Sequence, residues 1–131
     1  MARPESDNPT ELELEILKVL WDESPLPVRE VRGRLEQAGR PLAHSSVITM
    51  LNIMHRKGFV RRKKEGKSFL FSPRMKKETV AGSIVGDVLS RVFEGSASEM
   101  MLNLLETADL DADELTELRK LIARKAKEQR S

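Results

Sequence analysis

Leu12, Ile16, Val19 and Leu20 recur at three- and four-residue intervals, with Leu14, Leu17 and Trp21 beside them. That is the period of a helix with a wide apolar stripe. Thr10 followed by Glu13 has the spacing of a capping box and sets its start. A stripe this wide is buried between neighbours, which makes this the central helix of a small bundle. Ser24-Pro25-Leu26-Pro27 ends it, and Pro27, tolerated in a first turn, opens a second helix over Val28 to Ala38. Val28, Val31, Leu35 and Ala38 give that helix a narrow core stripe, the interior Gly33 weakens it by roughly 1 kcal/mol relative to alanine, and Gly39 stops it. After the turn Arg40-Pro41-Leu42, helical spacing returns over Ala43 to Lys57. There Val47, Met50, Leu51 and Met54 share about one third of the circumference, and Ser45, Ser46, Thr49, Asn52 and Arg56 occupy the other side. Two short runs between Phe59 and Phe71 then meet at Glu65-Gly66, where glycine supplies the positive φ that a tight hairpin needs.

Beyond Arg74 the pattern is helical again. Val80, Ala81, Ile84, Val85, Val88, Leu89, Val92 and Phe93 form one long amphipathic stripe that ends at Gly95. Gly82 and Gly86 have the spacing that lets two backbones approach, a weak and usually accidental signal in a water-soluble helix. Ser96 with Glu99 makes a second capping box, opening a helix over Ala97 to Thr107 with Met100, Met101, Leu102, Leu104 and Leu105. Asp111 with Glu114 makes a third, followed by Leu115, Leu118, Leu121 and Ile122, with Leu110 and Leu115 at staple positions. The predicted fold class is therefore mainly α with a small β-hairpin wing. Residues 1–9 are a disordered lead, 10–73 an N-terminal winged helix-turn-helix domain, and 74–131 a C-terminal helical dimerisation domain. Three helices in about 55 residues cannot easily bury so much apolar surface alone. A second copy is the economical partner, through Ile84, Val85, Val88, Leu89, Val92, Met101, Leu105, Leu115, Leu118, Leu121 and Ile122. The alternative is that these helices fold back on the N-terminal domain of a monomer.

Charge adds the candidate chemistry. The net value of +2 hides strong segregation: His55 to Lys77 contains ten lysines or arginines against one acid, Glu65. Residues 78–117 are strongly acidic, and the tail from Leu118 is basic again. A helix that presents small hydroxyl and amide side chains, followed by a basic ribbon, suits a phosphate-bearing duplex. The helix enters the major groove and the ribbon grips the backbone. Aromatic residues make up only 4% of the chain, so the core is built of Leu, Val, Ile and Met, as in an α-rich body. There is no cysteine, which excludes disulfides, thiolate metal sites and a cysteine nucleophile and fits a reducing cytoplasm. Met1 to Pro9 has no apolar signal-peptide core, and no run approaches membrane-spanning length, so a cytoplasmic protein with no membrane insertion is expected.

Thr10 to Trp21 (Thr-Glu-Leu-Glu-Leu-Glu-Ile-Leu-Lys-Val-Leu-Trp), Val28-Arg29-Glu30-Val31, Ser46-Val47-Ile48-Thr49-Met50-Leu51, Arg56-Lys57-Gly58 and Glu65-Gly66-Lys67 resemble, in order and spacing, the penicillinase repressor family of the BlaI/MecI type. The resemblance runs from residue 10 to about residue 125. It implies a homodimeric winged-helix repressor that binds double-stranded DNA at a dyad operator ahead of antibiotic-resistance and related stress genes. Ser46 and Thr49 then stand where the family has recognition-helix threonines, Ser45 and Asn52 flank them, and Arg62, Lys63, Lys64 and Lys67 match the basic wing. Two positions depart from the pattern. Where many members have arginine, able to bond a guanine, this chain has Ile53, which can only touch a thymine methyl or pack under the wing. In the resistance systems a membrane sensor with a zinc-protease domain triggers cleavage of an Asn-Phe bond in the dimerisation domain. Here Asn103 is followed by Leu104. The absence of a C-terminal cysteine cluster also removes the copper-responsive branch of the family.

Two other function classes compete. An enzyme is disfavoured: His44 and His55 are eleven residues apart without metal-ligand spacing, and there is neither a phosphate-cradling glycine loop nor a nucleophile motif. No metal and no cofactor is expected. The second rival is a winged-helix protein-interaction module whose basic wing meets an acidic partner; it differs from a DNA binder in lacking specific duplex binding with a steep salt dependence.

Overall fold

The computed structural model describes residues 8–130. Most of the expected disordered lead, residues 1–7, lies outside them. The chain divides into two compact units, the first ending at Gly86 and the second beginning at Asp87. Its architecture is mainly helical with a small antiparallel sheet, the fold class expected from the pattern.

The first unit begins with α1, Glu11–Asp22, and its capping box is complete: the Thr10 hydroxyl accepts from the Glu13 N–H and the Glu13 carboxylate accepts from the Thr10 N–H. The strand β1 is only two residues, Leu26–Pro27. Helix α2, Val28–Gln37, follows directly, with Pro27 as its extended N-cap and not its first helical residue. Gly39 ends α2 at φ 86°, and the Arg40 N–H reaches back to the Leu35 carbonyl while the Gly39 N–H bonds Glu36, a Schellman closure that only a left-handed residue allows. Arg32 Nε donates to the Leu42 carbonyl at 3.0 Å, tying α2 to the turn that delivers the next helix. That helix, α3, spans His44–Lys57 and is closed by Gly58 at φ 85°.

Two strands follow: β2, Val60–Glu65, and β3, Ser68–Pro73. Glu65 is the last paired residue of β2, opposite Ser68, so the turn is Gly66-Lys67 and not Glu65-Gly66. Gly66 at φ 61° takes the first turn position, where glycine is favoured in two-residue hairpins. The expected two-stranded ribbon is a three-stranded sheet. β3 is central, with β1 on one edge, Leu26 opposite Phe71, and β2 on the other, Arg62 opposite Phe71.

Ile16, Leu17, Leu20, Leu26, Val31, Leu35, Val47, Leu51, Met54, Phe59, Val60 and Phe71 form one buried cluster, with Met50 packed against it. The apolar side of α3 is therefore its inner side, as its sequence period requires. Helix α4, Lys77–Arg91, buries Val80. Trp21 Nε1 donates to the Met75 carbonyl at 2.8 Å, which holds the approach to α4 against α1.

Glu13 is buried at 1% exposure, the one charged residue in the core among those described. Lys57 Nζ, at the end of α3, lies 3.0 Å from its Oε2, and the same ammonium sits 5.9 Å from the Phe59 ring centroid. Burial pushes this carboxyl up, but the Thr10 backbone N–H, the Lys57 ammonium and the Thr10 hydroxyl together hold it below its ordinary value of 4.5. The folded state thus favours the carboxylate. Its stabilisation is complete above the ordinary value and is lost as pH falls through the lowered one. Wild type is expected to melt higher than Glu13→Gln near neutral pH, the gap closing progressively below about pH 4.5. Thermal melts of both proteins across the acid range check this, and a pH-independent gap would exclude the ionised pair as its source.

In the second unit α4 ends at Arg91, and the stretch Val92 to Gly95 is a turn with Glu94 at φ 51° and Gly95 at φ 85°. Val92, expected on the helical stripe, lies beyond the helix. Its apolar character made the period look longer than the helix is. Helix α5, Ala97–Thr107, is capped by Ser96, whose hydroxyl accepts from the Glu99 N–H. Helix α6, Ala112–Arg130, is capped by Asp111 through the Glu114 N–H at 2.8 Å. Neither α5 nor α6 buries a residue. Gly82 and Gly86 face open space: among the described residues nothing outside their own helix backbone lies within 4 Å of where a Cβ would stand on either.

Candidate nucleic-acid interface

The outer side of α3 carries the residues the sequence placed there. Ser45, Ser46, Thr49, Asn52 and Arg56 are all exposed. Ala43 gives no side-chain cap, which leaves first-turn N–H groups of α3 for solvent or an anion. Thr49 Oγ1 donates to the Ser45 carbonyl at 2.9 Å. Its hydroxyl proton is thereby occupied, and what Thr49 offers outward is an acceptor oxygen and a methyl group. Ile53 is half-buried and is not among the side chains packed on the core cluster.

Sequence reading passed over one residue on this side. Ile48 is 38% exposed, between His44 and Asn52, and borders an open cleft of about 570 Å³ that is also lined by Asn52, Arg62, Phe69 and Leu70. Because it is apolar it reads as core. Its angle at 100° per residue, however, lies roughly 110° from the centre of the buried side, and that offset was the available signal.

The wing cations divide by strand alternation. Val60, Arg62 and Lys64 share one face of β2 with Phe69 and Phe71 of β3; Arg61, Lys63 and Glu65 share the other. Val60 and Phe71 are in the core, so Arg62 points from the inner face at the edge of the core toward α3. Its guanidinium carbon lies 4.6 Å from the Phe69 ring centroid, and its Nη1 donates to Asn52 Oδ1 at 3.1 Å. Arg62 therefore bridges wing and helix, unlike the other wing cations. Arg61, Lys63, Lys64 and Lys67, with Arg56 on α3, are exposed and have no ion-pair partner among the described residues. Arg61 belongs with the wing cations on these grounds, although only Arg62, Lys63, Lys64 and Lys67 were expected. Lys57 is set apart from them by its pairing with Glu13.

The side chains expected at the dimer contact stand differently. Val85, Val88, Val92, Met101, Leu105, Leu115, Leu121 and Ile122 are exposed, while Ile84, Leu89 and Leu118 are half-buried. Met101, Leu104, Leu105, Leu118, Leu121 and Ile122 line an apolar groove of about 780 Å³ between α5 and α6. Asn103 and Leu104 lie within α5 and are exposed, and the Asn103 carbonyl accepts from Thr107 Oγ1 at 2.8 Å.

Comparison with known proteins bears on all of this. The chain is 28% identical over 113 residues to a penicillinase repressor of Bacillus licheniformis, covering 86% of this chain and 88% of that protein. It is 23% identical over 113 residues to the methicillin resistance regulatory protein MecI of Staphylococcus aureus (strain N315), covering 86% and 91%. The solution structure of the DNA binding domain of the repressor BlaI aligns at 27% identity and a TM-score of 0.48, covering 57% of this chain and 90% of that domain. The complex structure of hsRosR-SG aligns at 18% identity and a TM-score of 0.52 over 93% of this chain and 96% of that one, a likeness of fold. The sequence model of the penicillinase repressor matches residues 9–124, across both compact units. The chain belongs to the penicillinase repressor family.

Proposed function

We propose that this DNA-binding transcriptional repressor acts as a homodimer on a dyad operator. Each protomer sets α3 in the major groove and rests its wing on the adjacent backbone. The observation that carries this is the juxtaposition on one unit of an outward polar helix side, Ser45, Ser46, Thr49, Asn52 and Arg56, and exposed wing cations without ion-pair partners, Arg61, Lys63, Lys64 and Lys67. Small hydroxyl and amide groups suit base edges, and lysine and arginine suit phosphates. Ile48 adds an apolar contact beside Asn52, suited to a thymine methyl.

Repression follows from promoter occupancy and requires no catalytic step, cofactor or metal. The exposed apolar side chains of α4, α5 and α6 support dimerisation, since a patch of this kind marks an interaction surface. Two half-site contacts in one body gain an effective concentration that separate protomers lose. Any event that separates the protomers therefore releases DNA. Cleavage at Asn103–Leu104 under a membrane sensor or protease system is one such event, and it requires the second half of α5 to unwind, because the bond lies inside a regular helix. No helix of the described residues is long and apolar enough to cross a membrane, in keeping with a cytoplasmic site of action.

The rival reading, an acidic protein partner on the basic wing, predicts no duplex preference. Lys63→Ala with Lys64→Ala is expected to weaken binding to all duplexes and to flatten the slope of log affinity against log salt by about 0.9 for each phosphate no longer neutralised. Fluorescence anisotropy over a salt series measures both quantities, and unchanged affinity and slope would remove the wing from the backbone. Changes at Thr49, by contrast, are expected to shift sequence preference while leaving the salt slope in place.

A further inference from the structure

The Arg62 bridge has a chemical consequence for Asn52. A guanidinium only donates hydrogen bonds, so the Asn52 atom that it meets at 3.1 Å must be the amide oxygen, and the orientation of the amide is fixed by its partner. Asn52 is then left with its two N–H groups and the second lone pair of that oxygen. The usual pairing of asparagine with adenine has the oxygen accept from N6 and the nitrogen donate to N7; here Arg62 engages one of the oxygen's two lone pairs and fixes which way the amide faces. What results is a reader held in one amide orientation, with its N–H groups available to an acceptor edge such as guanine O6 and N7, thymine O4 or adenine N7.

An exposed Arg–Asn contact survives competition from water only if something else orders the arginine. Two features do so. Strand register puts Arg62 on the inner face of β2, directly across from the buried Phe71, and its guanidinium is stacked 4.6 Å from the Phe69 ring centroid. Phe69 is itself placed by Phe71, with ring centroids 6.4 Å apart at 58°. The chain from core to base reader thus runs Phe71, Phe69, Arg62, Asn52.

We propose that Arg62 is a specificity-determining positioning residue: it acts through Asn52, holding that side chain in one amide orientation and fixing the wing root to the recognition helix. This deepens the reading of α3 as the DNA-facing helix and rests on it.

The test uses the full chain and a pool of duplexes with a randomised centre. Wild type, Asn52→Ala, Arg62→Ala, Arg62→Lys and the double variant Asn52→Ala/Arg62→Ala each select from the pool. Affinities for the enriched duplex and its single-base variants are then measured over a salt series. Wild type is expected to favour one base at one pair of each half-site by roughly three- to tenfold, the size of one hydrogen bond, and Asn52→Ala to lose that preference. Arg62→Ala is expected to broaden the preference at the same pair, because the amide is free to turn, with the salt slope kept. Arg62→Lys keeps the charge but loses the planar stack, and should broaden the same pair. It decides the matter if Arg62→Ala fails to fold. The double variant should match Asn52→Ala at that pair. The proposal is overturned if either Arg62 variant keeps the wild-type preference, or if Arg62→Ala lowers the salt slope by about 0.9, which would make Arg62 an ordinary phosphate contact. Additive effects of the two alanine changes at that pair would also overturn it. If wild type enriches no sequence, or Asn52→Ala alters no pair, the reading of α3 as the base-reading helix falls and the proposal falls with it, an outcome distinct from failure of the Arg62 arm alone.

Discussion

Replacing Leu105 and Leu121 together with aspartate is expected to convert the protein to a monomer and to weaken its hold on a two-half-site duplex by roughly 100-fold or more. Leu105 is 52% exposed, Leu121 50% and their neighbour Ile122 56%, on the groove between α5 and α6. A patch of this kind left in water by one chain is the type of surface that association covers. Two carboxylates buried at such a contact without partners would each oppose association strongly. Because α3 and the wing are untouched, binding to a single half-site should be unchanged, and the loss on the paired site measures the effective-concentration gain, of order 10² to 10⁴. Sedimentation velocity with anisotropy on single and paired half-sites reads both. A variant that stays dimeric would place the contact elsewhere, and one that becomes monomeric at full paired-site affinity would remove dimerisation from the mechanism.

Phe71→Ala is expected to destabilise the first unit by about 3–5 kcal/mol, a large share of the roughly 5–15 kcal/mol typical of a small domain. Phe71 is buried on the central strand, between Leu26 of β1 and Arg62 of β2, and is among the largest fully enclosed side chains. Removing the ring opens a cavity where sheet and helices meet and takes away the neighbour of Phe69. Thermal melting should show a fall in Tm on the order of 15 °C, and duplex binding should be lost well below the wild-type melting temperature. A fall of only a few degrees would mean that the core closes around the gap.

What the sequence made legible was local. The Thr10–Glu13 box, the buried side of α3, the stop at Gly39, and the caps at Ser96 and Asp111 each depend on residues within a few positions of one another, and the structure has them all. What escaped was made by distance along the chain. A two-residue strand such as Leu26–Pro27 has no period to detect and exists only because Phe71 and Leu70 lie opposite it. Glu13 looked like a cap and nothing more, since its second partner, Lys57, is 44 positions away. The wing cations looked equivalent in sequence. Alternation across the sheet separates Arg62 and Lys64 from Arg61 and Lys63, and only the register with Phe69 and Phe71 shows which face meets α3. The hairpin turn slipped by one residue for the same reason: Glu65 pairs with Ser68, and pairing is a property of two strands. At the candidate site, residue types and positions were readable, whereas the bonds that restrict Thr49 to accepting and orient the Asn52 amide were not.

In the proposed mode of action two protomers joined through the C-terminal helices place two α3 helices on one duplex. The most direct measurement is the mass of the complex between the full chain and the duplex it enriches from a randomised pool, recorded by native mass spectrometry at saturating protein. Two copies of the chain are expected on each duplex bearing two half-sites. A saturated complex with a single copy, or no retained complex at all, would contradict this mode of action.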